Sequence, residues 1–144
     1  MWSDTLLLAE RAHLARVLLW GGASLLAGSL VLALLTVRRV RSPLLLHFAI
    51  QTAAWGAINV VLAALARRGL APRDVSGATR LDRFVWFNNG LDLGYVAVGV
   101  TLAIVGWRLG HRLALVGAGM AIVVQGLALL VLDLRFSAIL ARMV

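Results

Sequence analysis

The chain has 144 residues, of which 62% are hydrophobic and only 14% are charged, and its net charge is +8. Soluble domains are typically about 45–50% apolar and about 25% charged, so this composition indicates a protein whose solvent is lipid. The chain has no cysteine, which excludes disulfides, thiolate metal sites and thiol catalysis. All 14 basic residues are arginines that cluster between apolar runs, a pattern typical of membrane-flanking charge rather than of nucleic-acid binding.

Four apolar runs are each long enough to cross a bilayer, which requires roughly 20 helical residues. We therefore predict an all-α, integral membrane four-helix bundle with short hairpin loops, forming one domain over residues 1–144. The predicted spans are about 14–37, 44–66, 84–107 and 113–134.

The two halves of the chain resemble each other weakly. A shift of 70 residues places Arg38 on Arg108 and Gly56 on Gly126. Each half would then be a helical hairpin with a basic turn, and two such hairpins would run parallel to each other. This spacing suggests an architecture of two parallel helical-hairpin repeats.

The segments outside these spans are short, with one exception. Residues 1–13 are expected to form an amphipathic lead-in with Ser3 as a helix N-cap. Residues 67–83 are expected to be the one long polar connection, because Gly69 and Pro72 interrupt helix there. The segment after residue 134 is expected to extend the last helix along the membrane interface.

Polar side chains inside the apolar runs are the main functional signal. An acid in the hydrocarbon region costs about 2.5–3.5 kcal/mol on insertion scales, so its presence needs a reason. The second span also carries a polar stripe with a spacing of four residues, which keeps its members on one helix face. The predicted intramembrane polar site comprises Asn88, Asn89, Asp92 and Tyr95 of the third span, Gln51 and Asn59 of the second and Gln125 of the fourth.

Alternating span directions bring Asn59, Asp92 and Gln125 to a similar depth, about 10–14 Å from one membrane face. Two interpretations of this layer remain open. In the first, the polar groups form hydrogen bonds that only fix helix packing, each worth about 0.6 kcal/mol. In the second, Asp92 binds a proton, a cation or a small polar substrate. Asp133 and Arg135 lie nearer the end of the fourth span and are interpreted as interfacial residues.

Other chemistry finds little support in the sequence. The three histidines lie at span edges or in loops and show no metal-ligand spacing. No convincing set of catalytic residues is present, so we predict no metal, no cofactor and no catalytic site. A transporter or channel-like protein is the first hypothesis and a structural or accessory membrane subunit the second. A membrane enzyme acting on lipid or quinone-like substrates is the third.

The arginine distribution predicts the orientation. Nine arginines fall on the side of the chain termini and five on the opposite side. The positive-inside rule then places both termini in the cytoplasm, and we expect a bacterial inner membrane protein. Its expected partners are the lipid bilayer, further copies of the chain or other membrane proteins.

Two segments carry a resemblance to known sequences. They are NNGLDLGYVAVG at residues 88–99 and GAGMAIVVQGLALLVLDL at residues 117–134. With the four-span layout, they resemble a group of uncharacterised small bacterial membrane proteins that share a domain of unknown function. The resemblance implies a four-helix fold and no particular activity. The residues that match its pattern are Asn88, Asp92, Gly94, Tyr95, Gln125, Gly126 and Asp133.

Overall fold

The computed structural model describes residues 2–143, which form four α-helices and no strand. All four helices are long and apolar enough to cross a membrane. This confirms the predicted all-α, four-span architecture, and the protein is accordingly a multi-pass membrane protein. The helices are α1 (Trp2–Val37), α2 (Pro43–Arg68), α3 (Val75–Arg108) and α4 (Leu113–Leu140).

The long polar connection predicted at residues 67–83 is wrong, because α2 continues to Arg68 and α3 already begins at Val75. Asp74 caps the N-terminus of α3, where its carboxylate accepts a hydrogen bond of 2.7 Å from the backbone N–H of Gly77. A side chain at Gly77 would contact that carboxylate, so glycine allows the cap to form. The Asp74 carboxylate also accepts a hydrogen bond from the Ser76 hydroxyl. Both hydrogen bonds lower the pKa of Asp74, and the one from the Gly77 N–H contributes more.

The helices also extend beyond the other predicted boundaries. α1 begins at Trp2, so Ser3 lies inside the helix and is not its N-cap, and α4 continues to Leu140. The added turns of α1, α3 and α4 contribute to one buried cluster. Burial of these apolar side chains explains why the helices continue past the continuous apolar runs. The cluster consists of Leu6, Ala78, Val85, Phe136 and Leu140.

Glycines bring the two helices of each hairpin into backbone contact. A Cβ atom at Gly28 of α1 would lie 2.6 Å from the backbone nitrogen of Ala53 in α2. A Cβ at Gly99 of α3 would similarly lie 2.7 Å from the carbonyl oxygen of Gly119 in α4. Small residues at such crossings let transmembrane helices approach closely, and they fix the geometry within each hairpin.

These crossings occupy matching positions in the two halves of the chain. Gly28 crosses α2 near Ala49, and Gly99 crosses α4 near Gly119. The offset is 71 residues between the first helices (28 to 99) and 70 between the second helices (49 to 119). The two offsets differ because the second hairpin loop is one residue shorter than the first. The contacts thus follow the register of two parallel hairpins.

The hairpins join unequally. α4 contacts all three other helices, whereas no Cα atom of α3 lies within 8 Å of one in α1 or α2. We call the contact between α1 and α4 the closed seam. The corresponding junction between α2 and α3, where the backbones stay apart, is called the open seam.

The contacts of Gly56 predict a large effect of one added methyl group. A Cβ at this position would collide with the backbone of Leu25, so we expect Gly56→Ala to lower the free energy of unfolding by about 1–3 kcal/mol. Gly22 faces open space on α1, and Gly22→Ala should be neutral or stabilise the protein by up to about 1 kcal/mol. Unfolding in detergent measures both variants. Equal effects would contradict the crossing geometry.

Candidate functional site

A cavity of about 600 Å³ lies in the half of the bundle where α1 and α3 begin and α2 and α4 end. Its lining runs from Arg73 and Arg80 near one membrane face to Trp55 and Tyr95 deeper inside. The stretch of α3 from Arg80 to Tyr95 covers about 22 Å at 1.5 Å per residue. The cavity therefore reaches well into the membrane-spanning part of the protein.

The open seam forms one side of this cavity. At its deep end the rings of Trp55 in α2 and Tyr95 in α3 meet edge to face, with centroids 4.9 Å apart. The 70-residue offset between α2 and α4 makes Gln125 the equivalent of Trp55, and the 71-residue offset between α1 and α3 makes Ser24 the equivalent of Tyr95. Both equivalents lie in the closed seam. There the side chain of Gln125 donates to Ser24 Oγ over 3.1 Å and accepts from Trp20 Nε1 over 2.9 Å. The closed seam is thus held by hydrogen bonds, whereas the open seam is bridged by an aromatic pair.

Asp92 is the central polar residue of the cavity wall. It is only 4% exposed, it lines the cavity, and its Oδ2 atom has no hydrogen-bond partner within residues 2–143. Gly126 of α4 packs against the backbone of α3 here, because a Cβ at Gly126 would lie 3.1 Å from the Asp92 carbonyl oxygen. The close crossing of α3 and α4 therefore fixes the position of the carboxylate.

Three other predicted site residues join Asp92 at the cavity. Asn88 and Tyr95 lie one turn before and after it on α3 and line the same space. Asn59 reaches the cavity from α2, is 5% exposed, and has an Nδ2 group without a partner among the described residues. The sequence thus identified four residues, on two different helices, that the fold brings to one cavity.

The remaining members of the predicted polar site lie elsewhere. Asn89 faces α4, where its Nδ2 group donates a 2.8 Å hydrogen bond to Ser137 Oγ. Gln125 is held in the closed seam by Trp20 and Ser24. Gln51 is half-buried on α2 and does not line the cavity. Two of these three side chains therefore connect helices.

The sequence predicts an interfacial Asp133, and the structure places this residue in the cavity wall at 7% exposure. Its Oδ1 atom lies 3.3 Å from Nε2 of His13, whose ring stacks on Phe136 at a centroid distance of 4.4 Å. The difference arises because α4 continues past residue 134 and carries Phe136 into the packed end of the bundle. Arg135 is exposed.

Sequence reasoning missed Glu10, His13 and Arg73, which also line the cavity. Arg73 binds the carboxylate of Glu10 with two hydrogen bonds, 2.7 Å from Nη2 and 3.0 Å from Nε. The hydrogen bonds to Glu10 raise the pKa of Arg73 above its usual value. The available signal was the spacing of Glu10 and His13, since residues three apart share a helix face.

The groups in this cavity suit binding. Carboxylates, side-chain amides and a phenol converge on a space with apolar and aromatic walls, as in many small-molecule sites. Residues 2–143 contain no group of three or more histidine, aspartate or glutamate side chains placed to hold a metal ion. The arrangement can therefore hold a small solute through hydrogen bonds and charge.

The chain belongs to a family of unknown function, DUF6992, which matches residues 16–134. This confirms the family resemblance inferred from residues 88–99 and 117–134. No curated protein and no solved structure matches the chain. The matched range contains Asp92 and Asp133. It begins at residue 16 and therefore does not include Glu10 and His13.

The ion pair between Glu10 and Arg73 predicts a measurable coupling. We expect Arg73→Ala to lower the free energy of unfolding by about 1–3 kcal/mol, because it leaves the buried Glu10 carboxylate without its partner. The double variant Glu10→Gln/Arg73→Ala should lose less than the sum of the two single losses. Unfolding in detergent measures the four proteins, with exposed Arg11→Ala as the control. Additive losses would show that the two side chains do not interact.

Proposed function

We propose that the protein is a small transporter or channel-like protein that binds its solute in the cavity around Asp92. The observation that carries this proposal is that Asp92, only 4% exposed, belongs to the lining of a cavity of about 600 Å³ and has a carboxylate oxygen without a hydrogen-bond partner among the described residues. A polar layer that only fixed helix packing would pair such a group, since unpaired polar atoms in hydrocarbon cost several kcal/mol. Intramembrane acids of this kind commonly belong to ion or substrate pathways.

A structural or accessory role is the second candidate, and part of the polar layer favours it. The hydrogen bonds of Asn89 with Ser137 and of Gln125 with Ser24 join neighbouring helices inside the bundle. These pairs explain why Asn89 and Gln125 are tolerated in the membrane, and they need no ligand. They do not explain the free oxygen of Asp92.

We place the protein in a bacterial inner membrane with both termini in the cytoplasm. The arginine excess, nine against five, lies on the side where α1 begins and α4 ends, which the positive-inside rule assigns to the cytoplasm. The shallow end of the cavity, with Arg73 and Arg80, then faces the cytoplasm. We further propose a homo-oligomer, because four helices enclose little space for a complete pathway.

Flux through reconstituted protein tests the transport proposal. Proteoliposomes on a solid-supported membrane would receive concentration jumps of protons, sodium, potassium and tetraphenylphosphonium. We expect a charge movement with at least one of these cations, and we expect Asp92→Asn to reduce it at least tenfold, about 1.4 kcal/mol in binding.

Asp82→Asn is the matched control, because it makes the same chemical change on α3 at a residue that does not line the cavity. Its currents should equal those of the native protein. A folded protein that gives no current with any of the four cations would contradict the proposal. Currents that Asp92→Asn leaves unchanged would contradict it as well.

A further inference from the structure

We infer that the solute of this cavity is a lipophilic organic monocation, such as a substituted ammonium or phosphonium ion with an apolar body. The inference rests on the proposed function, because it names the solute class for the same site. Four features of the cavity carry it: an acid without a cationic partner, aromatic side chains in the walls, its size, and the gap between the backbones of α2 and α3.

The cavity provides Asp92 with no cationic partner among the described residues. Asp92 and Asp133 both line it, and Asp92 makes no ion pair with any residue in the described chain. His13 lies beside Asp133, and Arg73 is already bound to Glu10. Arg80 lies at the shallow end of the cavity, twelve residues before Asp92 on α3. A cationic ligand would therefore supply the charge that the protein does not provide to Asp92.

Aromatic rings stand next to this acid. Tyr95 lies one turn along α3 from Asp92 and contacts Trp55 across the open seam. The faces of tryptophan and tyrosine attract organic cations through their ring quadrupoles, most strongly where water is excluded. Phe84 adds a third ring to the cavity lining. An acid beside several rings favours a cation that carries hydrocarbon.

The size of the cavity argues against a bare metal ion. Its volume of about 600 Å³ falls within the range of roughly 300–1,000 Å³ found for small-molecule sites. The part of the chain that the structure describes also contains no metal-ligand cluster. A carboxylate at one point of a large cavity suits a single positive charge on a bulky molecule.

The open seam gives the ligand an apolar surface. Leu62 of α2 and Phe84 and Leu91 of α3 line the cavity and are 60%, 58% and 40% exposed. In a bilayer these side chains face hydrocarbon, and the backbones of α2 and α3 do not close the gap between them. A ligand that partitions into lipid could therefore reach Asp92 from the side.

Binding of tetraphenylphosphonium to the purified full-length protein in nanodiscs tests this inference. Isothermal titration calorimetry would compare it with tetraphenylborate, an anion of nearly the same shape. We expect saturable binding of the cation alone. Asp92→Asn should weaken this binding at least tenfold and Trp55→Ala several-fold, whereas Asp82→Asn should leave it unchanged.

Equal binding of the cation and the anion would overturn the inference, because it would show only partition into an apolar groove. Cation binding that Asp92→Asn and Trp55→Ala both leave intact would overturn it too. Trp55→Ala reports on the same cavity if Asp92→Asn fails to fold. Tetraphenylphosphonium binding without any current would support the solute class and refute transport. Currents with inorganic cations, without tetraphenylphosphonium binding, would support transport and refute the solute class.

Discussion

The close glycine crossings within each hairpin are the constraint on which the rest of the structure depends. Gly28 with Ala53 and Gly99 with Gly119 bring helix backbones together, and Gly117 brings α4 against the backbone of Leu44 in α2. Since lipid supplies no hydrophobic force between helices, such packing provides much of their association. The same crossings hold α3 against α4 and leave its other side free of backbone contacts with α2.

The candidate site follows from the difference between the two seams. Two hairpins in matching register could have closed both junctions in the same way. In the closed seam Gln125 and Ser24 form a hydrogen bond, whereas the equivalent positions in the open seam carry Trp55 and Tyr95. These two rings meet edge to face across a seam whose helix backbones stay apart. Asp92 and Asn59 consequently line a cavity and do not pair with each other.

The sequence predicted the spans well because each is a long apolar run, and it singled out Asp92 as a candidate site residue because an acid in such a run is rare. It could not predict where the helices begin and end, since α3 starts at an Asp74 cap and the helix ends are stabilised by contacts between distant segments. Arg73 was missed for the same reason. The partners of Asn89 and Gln125 depend on how the helices are rotated, which spacing along one helix does not fix.

Reaction of single cysteines with a membrane-impermeant thiol reagent tests most directly whether the cavity at the open seam admits solutes from water. The chain has no native cysteine, so Tyr95→Cys and Ser24→Cys place one thiol at equivalent positions of the two seams. In proteoliposomes, we predict that the thiol at position 95 reacts many times faster and from one membrane face only. Equal rates, or no reaction at either position, would contradict a solute-accessible cavity at the open seam.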